Sequence, residues 1–181
     1  MKITERLKAE HGVFLYQLDQ LEELALRDTS MDVLAAVVET IASAEDHHAM
    51  IEDQVLYPAL VQANGGEFAL LSKARAEHVE LRRLVSRIRS RVFDEHTVCA
   101  FVALLREHLE REIHGVFALA EELIPQDTLV RMANWDVDHL REAAGVPRPW
   151  ASALGSDPSA PADLRLQVPP HDRDHRPRAG R

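Results

Sequence analysis

The chain has 181 residues, 46% of them hydrophobic, a formal net charge of −9 and one cysteine, Cys99. That length and apolar content suit one domain with a substantial core, a single thiol excludes an intramolecular disulfide, and no apolar run approaches the roughly 18–20 residues of a membrane span. Residues 146–181 carry six Arg against four Asp, which leaves residues 1–145 at −11, an acidic body that argues against nucleic-acid binding.

The amino terminus, Met1-Lys2-Ile3-Thr4-Glu5-Arg6, is charged where a signal peptide needs an apolar run, and a cytoplasmic protein is expected. Leu7, His11, Phe14, Leu18, Leu21 and Ala25 recur at alternating spacings of four and three, the core stripe of an amphipathic helix over about 3–26. A second helix, about 31–62, starts after the candidate N-cap Ser30 and carries its stripe through Leu34, Val38, Ile41, Glu45, His48, Glu52, Val55 and Ala59. It ends at Asn64-Gly65-Gly66. Within it, Pro58 removes a backbone donor, and a kink is expected two turns beyond His48.

A third helix, about 67–92, places Leu71, Ala74, His78, Leu81, Val85, Ile88 and Val92 on one face. Asp94 to Thr97 supplies a turn. A fourth helix, about 98–124, turns Val98, Phe101, Leu105, His108, Glu112, Val116, Leu119 and Leu123 inward and stops before Pro125. The expected fold is all-α, an up-down-up-down four-helix bundle with an additional C-terminal helix over about 127–143. Seven of the nine prolines fall from Val146 onward, so residues 1–145 are read as the bundle domain and 146–181 as a Pro/Arg-rich disordered tail.

One pattern is doubled along the bundle. His11 is followed by His48-x-x-x-Glu52, and His78 by His108-x-x-x-Glu112; Ala9-Glu10-His11 returns as Ala76-Glu77-His78. Residues four apart on a helix differ by about 40° in direction, so each His/Glu pair faces one way. Two similar hairpins around a shared centre are implied.

All six residues interrupt stripes otherwise made of Leu, Val, Ile and Phe. A charge buried alone costs several kcal/mol, against a total stability of about 5–15 kcal/mol. A hydrogen-bonded His/Glu network is one compensation and bound cations are the other. Four His and two Glu in a doubled pattern favour cations, and His11, His48, Glu52, His78, His108 and Glu112 are the expected metal ligands. The lack of Cys disfavours structural zinc and iron–sulfur clusters, while imidazole with carboxylate suits iron, manganese, zinc or copper. Two Glu to bridge and two His to cap each ion favour a dinuclear centre, and iron is the expected metal.

Glu45, three residues before His48, is a candidate further ligand or partner of an imidazole N–H, and Tyr16 and Tyr57 are candidate phenolates. His47 lies about 100° from His48, and His114 about 240° from His108, both off the ligand face. His96, His139, His171 and His175 are read as loop, outer-helix and tail residues. The ferritin arrangement, with Glu-x-x-His on two helices, does not fit the order found here.

Over roughly residues 4–124 the ordered set of His11, His48-Ala49-Met50-Ile51-Glu52-Asp53-Gln54-Val55-Leu56-Tyr57-Pro58, Glu77-His78 and His108-Leu109-Glu110-Arg111-Glu112 resembles the hemerythrin-like, or HHE cation-binding, domains. The resemblance implies a four-helix bundle with a carboxylate-bridged, non-haem di-iron centre, expected to be oxo- or hydroxo-bridged. Members of that family bind or sense oxygen, nitric oxide or iron, decompose peroxide, or help repair iron centres. The oxygen carriers place a second His on the third helix, where this chain has Ala74 and Arg82, and an Asp five residues after the fourth-helix His, where it has Ile113. Those departures argue against a simple reversible oxygen carrier.

The leading expectation is therefore a di-iron protein that binds or reacts with oxygen, nitric oxide or peroxide. A catalase-like enzyme cycling between diferrous and diferric states is one alternative; an iron or oxygen sensor, acting on a protein partner through the tail or the fifth helix, is another. A metal-free helical interaction module is the third. No segment reads as a DNA-binding, kinase or membrane-anchoring element.

Overall fold

Apolar periodicity builds four long rods. The computed structural model describes residues 1–27 and 29–135. It places α1 at Ile3–Leu26, α2 at Met31–Ile51, α3 at Tyr57–Asn64, α4 at Ala69–Arg89, α5 at Glu95–Arg111, α6 at Phe117–Leu123 and α7 at Gln126–Met132. Glu52–Leu56 and Glu112–Val116 are single π-helical turns that carry α2 into α3 and α5 into α6. Four rods result: α1, α2 with α3, α4, and α5 with α6. Rod α1 packs on α2 and α5, and α4 packs on the same two. Each rod thus lies beside its neighbours in sequence, the ring of an up-down-up-down bundle.

The ends are set by local chemistry. Gly65, with φ at 79°, takes the left-handed conformation after α3, and the Gly66 N–H closes back to the Val61 carbonyl at 3.0 Å. Helix α4 ends the same way without a glycine: Arg91 has φ at 58°, and the Val92 N–H reaches the Arg87 carbonyl at 3.0 Å. The expected third helix is thereby cut short at Arg89, and Val92, expected inside, is 66% exposed. In the other direction, the Asp94 carboxylate accepts from the Thr97 N–H at 2.9 Å. That cap starts α5 at Glu95, three residues before the expected boundary.

Pro58 falls where the second rod passes through its π turn into α3. It sits in the first turn of α3, where no intrahelical donor is needed, and the missing bond is absorbed in the π turn just before it. The matching turn at Glu112–Val116 contains no proline but contains Gly115, where an added Cβ would lie 3.0 Å from Leu70 Cδ2 on α4. A bare backbone allows that close approach.

Two apolar cores fill the bundle. One gathers Phe14, Leu18, Val38, Ile41, Leu81, Ile88, Phe101 and Leu105; the other gathers Ile3, Leu7, Leu56, Leu60, Leu71, Val116, Phe117 and Leu129. On every rod the residues between the two cores are the His and Glu of the doubled pattern. Helix α7 covers one end by packing on α1, where the Arg6 guanidinium donates to the Ala133 carbonyl at 3.2 Å. The rest of the expected fifth helix, from 136, and the expected tail at 146–181 lie outside the described residues. No helix among the described residues is long and apolar enough to cross a membrane.

Candidate metal centre

His11 on α1, His48 on α2 and Glu52 at its end, His78 on α4, and His108 and Glu112 on and after α5 are all between 0% and 2% exposed. Their positions on the inward stripes bring them to one level of the bundle. Ligand atoms of His11, His48, Glu52 and Glu112 all lie within 4.8 Å of one another, and so do those of Glu52, His78, His108 and Glu112. The two sets share both carboxylates.

The contacts inside each set have the size of coordination edges. His11 Nε2 lies 2.8 Å from His48 Nε2, and His78 Nε2 lies 3.1 Å from His108 Nε2. Two nitrogens bound at about 2.0–2.1 Å to one ion, at right angles, stand about 2.9 Å apart. Glu52 turns Oε1 to His48 at 3.1 Å and Oε2 to His78 at 3.3 Å, one oxygen to each half. Glu112 Oε2 faces both halves, 3.2 Å from His108 Nε2 and 3.4 Å from His11 Nε2, yet this buried oxygen has no hydrogen bond. A protein-only network would leave that acceptor unsatisfied, at a cost of about 1–3 kcal/mol. Cations between the two halves would satisfy it, and the residues fit them.

A family model, the hemerythrin HHE cation-binding domain, matches residues 2–120. The chain belongs to this family. No curated protein and no solved structure gives a significant match.

Around the six residues of this HHE domain stands a ring of acids. Glu10 Oε2 lies 2.7 Å from His48 Nδ1, Glu77 Oε2 3.1 Å from His108 Nδ1, and Asp53 Oδ2 3.3 Å from His78 Nδ1. Each fixes an imidazole so that Nε2 presents its lone pair to the centre. The acids are held by arginines in turn: Arg6 on Glu10 at 2.9 Å, Arg75 on Asp53 at 3.1 Å, and Arg111 on Glu77. His11 is the exception: no acid stands beside it, and the Leu109 backbone is its neighbour instead.

Burial works against charge on every one of these imidazoles, and the neighbours decide the outcome. For His48, burial is outweighed by the Glu52 charge and the Glu10 contact, which push its pKa up to about 10. For His108, Glu112 and Glu77 do the same, to about 10. Asp53 and Glu52 outweigh burial at His78 and raise it to about 9. At His11 burial prevails, aided by the nearby His48, and lowers the pKa to about 3. Burial also opposes charge on Glu52, but His48 and His78 hold it well below the usual carboxylate range. Burial and the Glu52 charge push Glu112 up. The centre is thus a place where protons and cations compete for the same lone pairs.

The remaining candidates divide. Tyr57 is fully buried, donates its hydroxyl to Glu112, stacks on His78 at 6.0 Å and lies under the Arg75 guanidinium at 5.2 Å. Burial and the two carboxylate charges push its pKa well above the usual phenol value, which favours the neutral hydroxyl that donates to Glu112. Tyr16 is 64% exposed and takes no part. Glu45 is buried at 3% exposure, and its pKa is raised by burial, but it belongs to neither four-residue set. His47, His96 and His114 are exposed, as expected; His139, His171 and His175 lie outside the described residues.

Sequence reasoning missed Glu10, Asp53 and Glu77 as supports. The doubled Ala-Glu-His held the signal for two of them. Asp53 had none beyond standing next to Glu52. None of the three residues at the positions that distinguish the oxygen carriers joins the cluster: Ala74 is buried, Ile113 is half-buried, and Arg82 is exposed and reaches Asp46 at 3.4 Å and Asp53 at 3.5 Å.

Proposed function

We propose that this HHE domain holds two iron ions, one ligated by His11 and His48, the other by His78 and His108, with Glu52 and Glu112 shared between them. The observation that carries this reading is the pair of four-residue sets with two carboxylates in common. Iron is one of the metals that imidazole and carboxylate donors suit. Bound there, a di-iron centre supplies one-electron redox chemistry and open positions for a small diatomic molecule or peroxide. Each set offers four protein donors and α4 contributes one histidine, His78, so a bound ion would keep room for such a molecule.

The chain's own residues do the rest. Glu10, Asp53 and Glu77 orient three imidazoles, and the Tyr57 hydroxyl holds one oxygen of Glu112. The two apolar cores exclude bulk water from the layer between them. A peroxide-decomposing activity is the second reading, favoured by open positions on both ions and by a neutral hydroxyl donor, Tyr57, at the shared carboxylate.

Metal analysis with absorption spectra under nitrogen, air and nitric oxide tests both. About two irons per chain, with a spectral change on adding oxygen or nitric oxide, supports the first; rapid gas evolution from peroxide supports the second. Colourless, metal-free protein from iron-replete cells defeats both in favour of a metal-free helical module.

A further inference from the structure

The halves of the cluster correspond residue by residue. Glu10 matches Glu77, His11 matches His78, His48 matches His108 and Glu52 matches Glu112. The match extends to the residues after the shared acids, Asp53 with Ile113 and Tyr57 with Phe117, because both π turns begin at the acid. Most of this symmetry is kept in the contacts: Glu10 supports His48 as Glu77 supports His108.

It breaks twice, on the same side. Asp53 lies 3.3 Å from His78 Nδ1 and is itself held by Arg75 at 3.1 Å and Arg82 at 3.5 Å. Its counterpart is the aliphatic Ile113, so no carboxylate stands beside His11, whose ring has the Leu109 backbone as its hydrogen-bonding neighbour instead. Tyr57, stacked on His78, gives its hydroxyl to Glu112; Phe117, 5.0 Å from the His11 ring, has none to give. Phe14 adds a further apolar edge 5.3 Å from His48.

An imidazole that ligates through Nε2 must carry its proton on Nδ1, and that buried N–H needs an acceptor. His78 has one in Asp53. His11 has only the neutral backbone of Leu109, a weaker partner than a carboxylate. Supports of this kind typically change metal affinity by 10–100-fold when removed.

Resting on the reading that the cluster takes two cations, we propose that its two sites are unequal: His78 and His108 form the tight site that fills first, and His11 and His48 form the weak, exchangeable site, with the Asp53/Ile113 pair setting the difference. The side whose histidine lacks a carboxylate partner is then the one that gains and loses its ion as metal supply changes.

Anaerobic titration of metal-free protein with cobalt(II), followed by visible absorption and calorimetry, tests this. Wild-type protein is expected to fill in two steps whose dissociation constants differ by about 10–100-fold. Asp53→Ile, which copies the other half, weakens the first step by a similar factor and merges the two; Ile113→Asp, which adds the missing acid, strengthens the second. His11→Ala abolishes only the weak step. Filling of wild-type protein in a single step by two equal ions overturns the proposal while leaving the two-cation centre intact, as does an Asp53→Ile variant that loses affinity only in its second step. Failure to take up cobalt at all sinks the two-cation reading itself.

Discussion

Glu52→Gln is the sharpest perturbation of the centre, because Glu52 is the residue that turns one oxygen to each half. The change keeps the side chain's volume and removes only its charge. A metal bound solely to the folded state stabilises by about 2.7 kcal/mol at a free concentration 100 times its dissociation constant, and two ions, each at that excess over its own stepwise constant, by about twice that. For a domain of this size each kcal/mol moves the melting temperature by roughly 2–4 °C, so full loading of wild-type protein is expected to raise it by roughly 10–20 °C. Both ions lose an anionic ligand in Glu52→Gln, and the rise should fall to less than half. Metal-free Glu52→Gln is itself expected to melt lower, since His48 and His78 lose a counter-charge; the increment on loading, measured by scanning calorimetry with and without iron(II) under nitrogen, is therefore the decisive quantity. An increment equal to wild type would mean that the metal sits elsewhere.

Other outcomes follow from the same geometry. His48, His78 and His108 hold their protons up to about pH 9–10 in the bare cluster, so loading both ions at pH 7 should release about three protons per chain, measurable by calorimetry in buffers of different ionisation enthalpy. Because those pKa values are raised on folding, their contribution to metal-free stability is complete below about pH 6.5 and is lost as pH rises through about 9–10; urea titrations across that window should show a steady decline. Tyr57→Phe removes the donor to a buried carboxylate and should cost about 1–3 kcal/mol in urea unfolding, with two metals still bound. Glu45→Gln neutralises a buried acid outside both ligand sets, and metal analysis should again find two ions, with stability unchanged or higher.

The six clustered residues were legible because a polar residue in an apolar stripe has few explanations: the spacing that puts Leu7, Phe14 and Leu18 inside puts His11 inside with them. Their supports were not, because Glu10 and Glu77 lie one residue off the stripe, where periodicity assigns them to solvent. Each reaches sideways to the neighbouring rod instead, to His48 and His108. Helix ends were blurred where the chain departs from preference, as at Arg91, a left-handed residue that is not glycine. The π turns had no usable signal, since one precedes Pro58 and the other contains Gly115.

Those turns explain why an aromatic residue stands at each half. On a regular helix the fifth residue after a ligand points about 140° away from it. In both π turns the backbone N–H of that fifth residue, Tyr57 or Phe117, closes instead on the carbonyl of the buried acid itself, Glu52 or Glu112. The wider turn brings the fifth side chain back toward the centre, where Tyr57 lies on His78 and Phe117 on His11. The same device also sends each acid across the bundle: Glu52 reaches His78 on the second hairpin, and Glu112 reaches His11 on the first. A hairpin by itself therefore supplies two imidazoles and one carboxylate, and each set of four is completed only by the other hairpin. Whatever cation fills a set must tie the two hairpins together, which places the energy of binding at the interface where the bundle would otherwise come apart.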